Sequence, residues 1–348
     1  MKVSILCPTF NHGPLIHAAM RSVLRQTHQD FEVFVIGDGV TDETRTAVEE
    51  LLAWDGRFHF VDREKSPRHG EAYRDEILRT RATGKVVCYL SDDDIWTPDH
   101  LTTILEALKT SDVAHSQIVS VSPEGGISSS LCDWGAAEWR QWMITPPWNN
   151  AVGLSQVGHR MALYHRLPHG WRTTPAGRWS DHYMWQQILE LPDVRAEGTA
   201  APTAILFPSP QRREMSLEAR QKEVAVWERR LEDPVALRRD LRAAVATWGL
   251  GLQSAAAELH HLRMAEAQRP PPEPSCSLAE HYREMEEITV NWRASVDQKR
   301  VQIEVLKEQR NDWRLKWQVA KAELVDLKKA QAALPRWLRL LNRKLGRS

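Results

Sequence analysis

Three consecutive carboxylates, those of Asp92, Asp93 and Asp94, follow an apolar run over residues 86–90. Adjacent carboxylates repel one another unless a cation compensates their charge, and Mg²⁺ and Mn²⁺ prefer hard oxygen ligands. A divalent ion held at this position could bridge to a diphosphate. The competing interpretation is an acidic cap on a helix that begins at Pro98, because acidic residues are common at helix starts.

The first half of the chain predicts a framework that could position these carboxylates. Apolar runs predict buried strands, and capped amphipathic stretches predict helices between them. The strands are expected over residues 3–7, 31–36, 58–61, 86–90, 113–116 and 118–121, and the helices over 14–26, 42–54, 72–81 and 98–109. Repeated β-α units of this size give a mainly parallel α/β sheet flanked by helices. Ligands of such sheets bind beyond the carboxyl ends of the strands, where the acidic run stands.

Four segments form an ordered set of motifs: 3–11 (VSILCPTFN), 22–27 (SVLRQT), 37–42 (GDGVTD) and 91–99 (SDDDIWTPD). The set resembles the nucleotide-binding half of family 2 glycosyltransferases, and the resemblance covers roughly residues 1–210. It implies a GT-A fold and the transfer of a sugar from a nucleotide-sugar donor, mostly with inversion. It also implies a divalent metal cofactor, Mg²⁺ or Mn²⁺.

The resemblance assigns donor-binding roles to Pro8, Phe10, Asp38, Arg74 and Asp92. The carboxylate of Asp38 could accept a hydrogen bond from the N3–H of uracil, with Pro8 and Phe10 as an apolar wall for the base. A turn residue that bonds its own backbone is the alternative for Asp38. Arg74 matches a position where the family often has a basic residue facing the phosphates, although a solvated helix arginine is an equally good interpretation.

The resemblance also divides the roles within the acidic run. Asp93 is the expected main metal ligand, and Asp92 is expected nearer the ribose. The chain departs from the family pattern at two positions, since the family usually has Asp at the position of Gly37 and often at that of Ser91. Some members have a small hydroxyl residue at the latter position, so we expect the metal site to be retained.

The expected acceptor half, residues 117–210, contains a second acidic motif, Trp179-Ser180-Asp181-His182. It resembles the catalytic acidic motif of the family, and transfer to a hydroxyl needs a carboxylate that removes its proton. Asp181 is therefore the predicted general base, with a helix N-cap as the alternative. Seven tryptophans in this half could form a core or sugar-stacking walls, and core packing is the safer interpretation for each. Residues 158–164, with His159 and Arg160, are predicted as a strand on the acceptor side.

Charge separates the two halves of this 348-residue chain, whose net charge is zero. Residues 1–210 have 19 Lys+Arg and 26 Asp+Glu, a balance of −7, whereas residues 211–348 have 27 and 20, a balance of +7. The asymmetry favours an acidic enzyme-like half and a basic accessory half. Four widely spaced cysteines suggest neither a disulfide framework nor a metal cluster, so a reducing compartment is expected. Neither a signal peptide nor a membrane-spanning run is predicted.

The second half is predicted to be helical. We expect a helical extension over 211–267, a stiff proline-rich linker over 268–276 and a coiled coil over 277–334, where apolar residues recur with 3-4 spacing. A single long helix that folds back on the catalytic domain is the alternative. The basic amphipathic tail, 335–348, suits the surface of an anionic membrane.

Together these features predict an enzyme that moves a sugar from a UDP-sugar to an unknown acceptor, in bacterial-type glycan or cell-surface polysaccharide synthesis. The expected location is cytoplasmic, with contact at the inner face of the membrane through the tail and self-association through the coiled coil; no nucleic-acid partner is expected. One alternative is a nucleotidyltransferase, although a Gly-rich basic phosphate loop after the first strand is absent from the sequence. Another is a non-catalytic coiled-coil scaffold with a degenerate glycosyltransferase domain.

Overall fold

The computed structural model describes residues 1–146, 149–247 and 250, which belong to one compact unit that spans 1–261. The predicted linker, coiled coil and basic tail lie outside the described residues, as does Trp148. Among the described residues, no helix has the length and apolarity needed to cross a membrane.

Strands and helices alternate through the first half, as the apolar pattern predicts. The elements are β1 Val3–Thr9, α1 Ile16–Leu24, β2 Phe31–Asp38, α2 Asp42–Leu52, β3 Phe58–Arg63, α3 Glu71–Thr80 and β4 Val86–Tyr89. They continue with β5 Ile95–Trp96, α4 His100–Ala107, β6 Val113–His115, β7 Ile118–Val121 and β8 Ile127–Ser130. The remaining elements are α5 Ala137–Ile144, β9 Val157–Arg160, α6 Met161–Tyr164, α7 Ser180–Leu189, β10 Ala196–Gly198, β11 Ala204–Leu206 and α8 Leu217–Arg230. The chain is helical again over 234–247.

Two sheets organise the molecule. The larger has the strand order β10-β6-β9-β4-β1-β2-β3, and its pairs are parallel except those of β9, which runs antiparallel to both neighbours. The smaller has the order β5-β11-β7-β8. The protein is therefore a mixed α/β structure with a large, mainly parallel sheet flanked by helices, as predicted.

The central strands are buried on both faces because alternate apolar side chains enter two different cores. Ile5 of β1 packs in a cluster with residues of α1 and α2, such as Val23 and Leu51. Leu6, one position along, belongs to a second cluster that contains residues of α3 and α7. Burial of each such side chain contributes about 1.5–3 kcal/mol. This two-sided burial fixes the register of the sheet and so the position of each strand end.

A third apolar cluster joins helix α8 to the smaller sheet. Its members come from both ends of the described chain: Leu15, Ala18, Ile95, Val119, Val121, Ile205, Phe207, Val224, Trp227, Leu231, Leu237 and Leu241. Glu228 of α8 also pairs with Arg21 and Arg25 on or just after α1, at 3.0 Å for Arg25. Helix α8 lies in the segment where a helical extension is predicted, and it packs directly on the α/β unit.

The structure corrects three local predictions. Helix α4 begins at His100 with Asp99 as its N-cap, so the carboxylates Asp92–Asp94 do not cap it. The strand predicted over 158–164 ends at Arg160 and continues as helix α6. It also lies within the larger sheet rather than on an acceptor surface, and the buried His159 bonds the Tyr89 hydroxyl at 2.8 Å. Strand propensity alone does not show that the chain turns there.

Candidate functional site

One cleft of about 730 Å³ opens beyond the carboxyl ends of β1, β2 and β4. The side chains that line it include every residue predicted for the site: Pro8, Phe10, Asp38, Arg74, Asp92, Asp93 and Asp181. Parallel strands bring their carboxyl ends to one edge, which explains why residues so far apart in sequence meet here. The structure thus assembles the predicted set, while the role of each member stays a prediction.

Asp38 ends β2 in a corner closed by the loop after β3. Its Oδ1 accepts a hydrogen bond from the Ser66 backbone N–H at 2.6 Å, and its Oδ2 pairs with Lys65 Nζ at 2.5 Å. Gly39 allows this approach: its φ is +69°, and a Cβ there would lie 2.8 Å from the backbone of Lys65. Lys65 Nζ also lies 5.2 Å from the ring centroid of Phe10, whose side chain is 41% exposed. A carboxylate has about four lone-pair positions, so Asp38 can still accept a further donor.

Asp92 is held by two residues at the end of β1 and in the turn that follows. Thr9 Oγ1 donates to its Oδ2 at 2.6 Å, and His12 Nδ1 lies 2.7 Å from its Oδ1. Burial alone would lower the pKa of His12, but the charge and hydrogen bond of Asp92 raise it to about 9. The imidazole is therefore a cation at neutral pH and neutralises Asp92.

Asp93 is held from the opposite direction, by residues near the end of the described chain. Ser209 Oγ donates to its Oδ2 at 2.6 Å, and Arg220 Nη2 pairs with the same oxygen at 2.6 Å. Arg220 also donates to Ser209 Oγ at 3.1 Å. Only 8% of Asp93 is exposed, so the carboxylate is buried against a guanidinium rather than lying in an open crevice.

Asp94 accepts hydrogen bonds from uncharged groups and supports the loop around the site. Ser155 Oγ donates to its Oδ2 at 2.6 Å, and the Phe207 backbone N–H donates to its Oδ1 at 3.0 Å. Burial and the neighbouring Asp93 raise the pKa of Asp94 to about 8. Ser91, where the related family often has Asp, lines the cleft and is fixed by its N–H to Ser155 Oγ.

His12, Asp92 and Asp93 form a group that could hold a metal ion. One ligand atom from each lies within 4.8 Å of the others. Two carboxylates with one imidazole suit Mn²⁺ and other borderline divalent ions, and carboxylates alone suit Mg²⁺. These donors fit the predicted cofactor. For it to bind, His12 must lose its proton, and a carboxylate oxygen of Asp93 must be shared between Arg220 and the metal ion.

Arg74 is 2% exposed, so the interpretation as a solvated helix arginine is wrong. Its guanidinium lies 4.1 Å from the ring centroid of Trp171, and one nitrogen donates to the carbonyl of His69 at 3.1 Å. Burial lowers its pKa, and the charges of Glu71, Asp181 and Asp38 act in the opposite direction. Its Nε is buried and has no hydrogen-bond partner in the described part of the chain. A buried cation with an open donor suits an anionic ligand.

Asp181 stands in the first turn of α7 on the far wall of the cleft. Trp179, not Asp181, is the N-cap residue, and Asp181 Oδ1 accepts from the next backbone N–H, that of His182, at 2.7 Å. Asn150 Nδ2 donates to the same oxygen at 3.1 Å. Burial raises the pKa of Asp181 despite these hydrogen bonds. A raised carboxylate pKa is what proton transfer near neutral pH requires.

The tryptophans divide between core and cleft. Trp134, Trp171 and Trp185 are buried in the second core cluster, as the safer interpretation predicts. Trp179, however, is 55% exposed at the cleft, and Trp142 is 43% exposed on α5. An exposed indole beside a candidate base can stack on an incoming ring.

Sequence reasoning missed several residues of the site. The cationic ones are His12, Lys65, Arg68, Arg178 and Arg220, and His69 also lines the cleft. His12 directly follows the first motif quoted above, residues 3–11, and only its contact with Asp92 shows its relevance. Ser209 and Arg220 gave no signal, because their link to Asp93 spans 116 and 127 residues. At Gly37, a Cβ would lie 3.1 Å from side-chain atoms of Asp62, Phe60 and Val40, which would have to shift by a few tenths of an ångström.

Comparisons with known proteins find matches over part of the chain. The model of "Glycosyl transferase family 2" matches residues 4–137. An uncharacterized glycosyltransferase, alr2836 of Nostoc, is 34% identical over 116 residues, 32% of this chain and 34% of the relative. The E. coli protein described as UDP-Glc:alpha-D-GlcNAc-diphosphoundecaprenol beta-1,3-glucosyltransferase WfgD is 33% identical over 99 residues, 28% of this chain and 38% of the relative. The chain thus spans little more than a third of these curated relatives.

A solved structure, S. aureus TarS 1–349, overlaps 60% of this chain and 60% of its own with a TM-score of 0.48 and 18% identity. An overlap of this degree says nothing about what this chain binds. The family match ends before Asp181, so a functional role for Asp181 rests on the geometry of the cleft. Residues 4–137, which contribute Asp38, Arg74, Asp92 and Asp93, are the part of the chain that matches the glycosyl transferase family 2 model.

Proposed function

We propose that the protein is a GT-A glycosyltransferase that transfers a sugar from a UDP-sugar to an acceptor hydroxyl with inversion. The observation that carries the proposal is the single cleft in which Asp38, the His12–Asp92–Asp93 group and Asp181 meet. These are a base-recognition corner, a cation site and a carboxylate suited to proton transfer. The relative WfgD, whose description contains UDP-Glc, supports UDP as the carrier.

The donor would lie along the strand-end wall of the cleft. Its uracil would pack beside Phe10 and Pro8, with its N3–H donated to Asp38. The diphosphate would face a concentration of positive charge, since Lys65, Arg68, Arg74 and Arg178 line the same cleft. Charge-assisted hydrogen bonds from such groups to phosphate are about twice as strong as neutral ones.

A divalent ion would be held by Asp93 with Asp92 and His12. When bound, it supplies Lewis-acid stabilisation of the charge that develops on the departing diphosphate. The protein's own part is to hold the carboxylates in place. Thr9 fixes Asp92, and Ser209 fixes Asp93.

Asp181 would act on the acceptor. The acceptor oxygen forms a bond to the anomeric carbon, the bond from that carbon to the diphosphate breaks, and the hydroxyl proton passes to the Asp181 carboxylate. Asn150 and the backbone N–H of His182 orient this carboxylate. Trp179 would offer its exposed face to an acceptor sugar.

The test is binding of UDP and UDP-sugars by calorimetry, with and without Mn²⁺, followed by a donor-hydrolysis assay. We expect Mn²⁺-dependent binding of UDP that is stronger than binding of GDP, because Asp38 matches a uracil N3–H. A chain that binds no nucleotide with Mn²⁺ or Mg²⁺ would instead fit the non-catalytic scaffold.

We further propose the domain organisation predicted above: a catalytic domain over 1–210, a helical extension over 211–267, a proline-rich linker over 268–276, a pairing coil over 277–334 and a membrane-binding tail over 335–348. Light scattering of the full chain is expected to show an oligomer. Flotation with anionic liposomes is expected to weaken at high salt, because ions screen the basic tail. A monomer at micromolar concentration would contradict the pairing coil.

A further inference from the structure

Helix α8 brings a buried arginine to the acidic group from outside the matched family segment. Arg220 is 6% exposed, and its Nη2 contacts both Asp93 Oδ2 and Ser209 Oγ. Asp93 and Ser209 line the cleft, so the guanidinium lies one side chain behind its surface. A pair between buried charges needs a reason beyond stability, because its desolvation cost offsets much of its attraction.

The position of Arg220 is set by the packing of the whole helix. Val224 and Trp227 of α8 belong to the third apolar cluster, and Glu228 pairs with Arg21 and Arg25. Arg212, just before the helix, is fully buried and pairs with Glu223 of α8. These contacts hold the segment that carries Ser209 together with the helix that carries Arg220. The guanidinium is therefore a fixed part of the site.

The hydrogen bonds of Arg220 leave part of the guanidinium unused. Within the described residues, only Nη2 of this side chain has hydrogen-bond partners, although the planar group offers five N–H donors. A cation bound to Asp93 would lie beside the same carboxylate as the guanidinium of Arg220. Two positive charges on one carboxylate repel each other, whereas a diphosphate beside them attracts both.

We propose that Arg220 is the built-in counterion of Asp93: it opposes cation binding to the free protein and favours binding of the nucleotide diphosphate. The inference rests on the proposed function, since it needs a nucleotide donor in the cleft. Its consequence is that nucleotide and metal bind together more readily than metal binds alone, and that α8 is part of the donor site. A free cation would then be held weakly until a diphosphate adds its negative charge.

The test uses the full chain and two binding measurements, Mn²⁺ alone by electron paramagnetic resonance and UDP at saturating Mn²⁺ by calorimetry. Arg220→Gln removes the charge and keeps a polar side chain. We expect it to tighten Mn²⁺ binding by about tenfold and to weaken UDP binding by about tenfold, because one nearby charge is lost in each case. Arg220→Lys keeps the charge and is expected to restore both toward the original values.

Lys222→Gln is the matched control, because Lys222 lies on the same helix, is 76% exposed and pairs with Glu218 of that helix. It is expected to change neither measurement. If Arg220→Gln weakens both Mn²⁺ and UDP binding, or changes neither, the counterion assignment is overturned. If Arg220→Gln and Arg220→Met both lose cooperative unfolding, the pair serves the fold, and the assignment is also overturned. Failure of the unmodified chain to bind UDP would instead overturn the proposed function.

Discussion

The two walls of the cleft are built by different means. On the strand-end wall, Thr9 and Asp38 close β1 and β2, and Asp92 follows β4 closely. On the helix wall, Asp181 comes from α7, whereas Arg220 of α8 lies behind the strand-end wall, where it pairs with Asp93. The first wall follows from the order of strands in one sheet. The second depends on how separate helices pack against that sheet.

This difference separates two kinds of function. The strand-end wall has the charge pattern of a nucleotide and cation site. Its residues lie within the matched family segment, whereas Ser209 and Arg220, which support Asp93, lie outside it. The helix wall has a carboxylate with a raised pKa and an exposed indole. If the proposal holds, changes on the first wall affect donor binding, and changes on the second affect transfer.

The largest expected effect is on the helix wall. Asp181→Asn removes the proton acceptor but keeps the shape of the side chain, so turnover should fall by about 10²–10⁴-fold while UDP affinity stays nearly unchanged. The measurement is steady-state transfer together with UDP calorimetry. Glu190→Gln, at the exposed end of the same helix, is the control. Turnover that persists in Asp181→Asn would place the base elsewhere.

The next effect is on the strand-end wall. Asp93→Asn should weaken Mn²⁺-dependent UDP binding by about 100-fold, at the upper end of the range known for loss of a residue that merely supports a metal ligand. Calorimetry with and without Mn²⁺ checks this. Thermal unfolding is needed alongside, because Arg220 loses its charged partner. Equal UDP affinity in the variant and the original chain would refute the metal assignment.

The pH dependence of kcat tests the role of Asp181 on the helix wall separately from donor binding. Burial raises the pKa of Asp181 above the ordinary value of 3.8. A general base acts when it is ionised, so kcat should decrease as the pH falls through this raised pKa, by about tenfold per pH unit below it. We expect the midpoint of this acidic limb above about pH 4, where an ordinary aspartate titrates. If the residual activity of Asp181→Asn shows the same acidic limb in its pH profile, the assignment of Asp181 as the base is wrong.

The smallest expected effect is at the base-recognition corner. Phe10→Ala removes one wall for the uracil and should weaken UDP binding by about tenfold, within the ~1–3 kcal/mol range of base–aromatic stacking. Trp54→Ala is a matched control, since Trp54 is an aromatic of similar exposure, 38%, outside the cleft lining. Similar losses in both variants would show that the effect does not come from base contact.

The sequence predicted the strand-end wall better than the helix wall for a physical reason. Strand order, buried runs and the Gly-Asp-Gly turn are local patterns, and parallel topology converts them into adjacent strand ends. The acidic motif around Asp181 was found by resemblance, but its partner Asn150 was not. In the sequence, Arg220 looks like any arginine of a polar helix, and only tertiary packing brings it into contact with Asp93. The change from strand to helix at Arg160 was missed although Met161, Ala162 and Leu163 are good helix formers.

The third apolar cluster has a consequence for how the chain folds during synthesis. Ala18 of α1 and Leu15 just before it share this cluster with Trp227 and Leu241, which are made much later. At ~5–20 residues per second, roughly 220 residues separate Leu15 from Leu241 by on the order of ten to forty seconds. Through that interval Leu15 and Ala18 lack the late-made members of their cluster and are available to chaperones. Completion of the cleft therefore waits for a segment translated well after its metal and nucleotide residues.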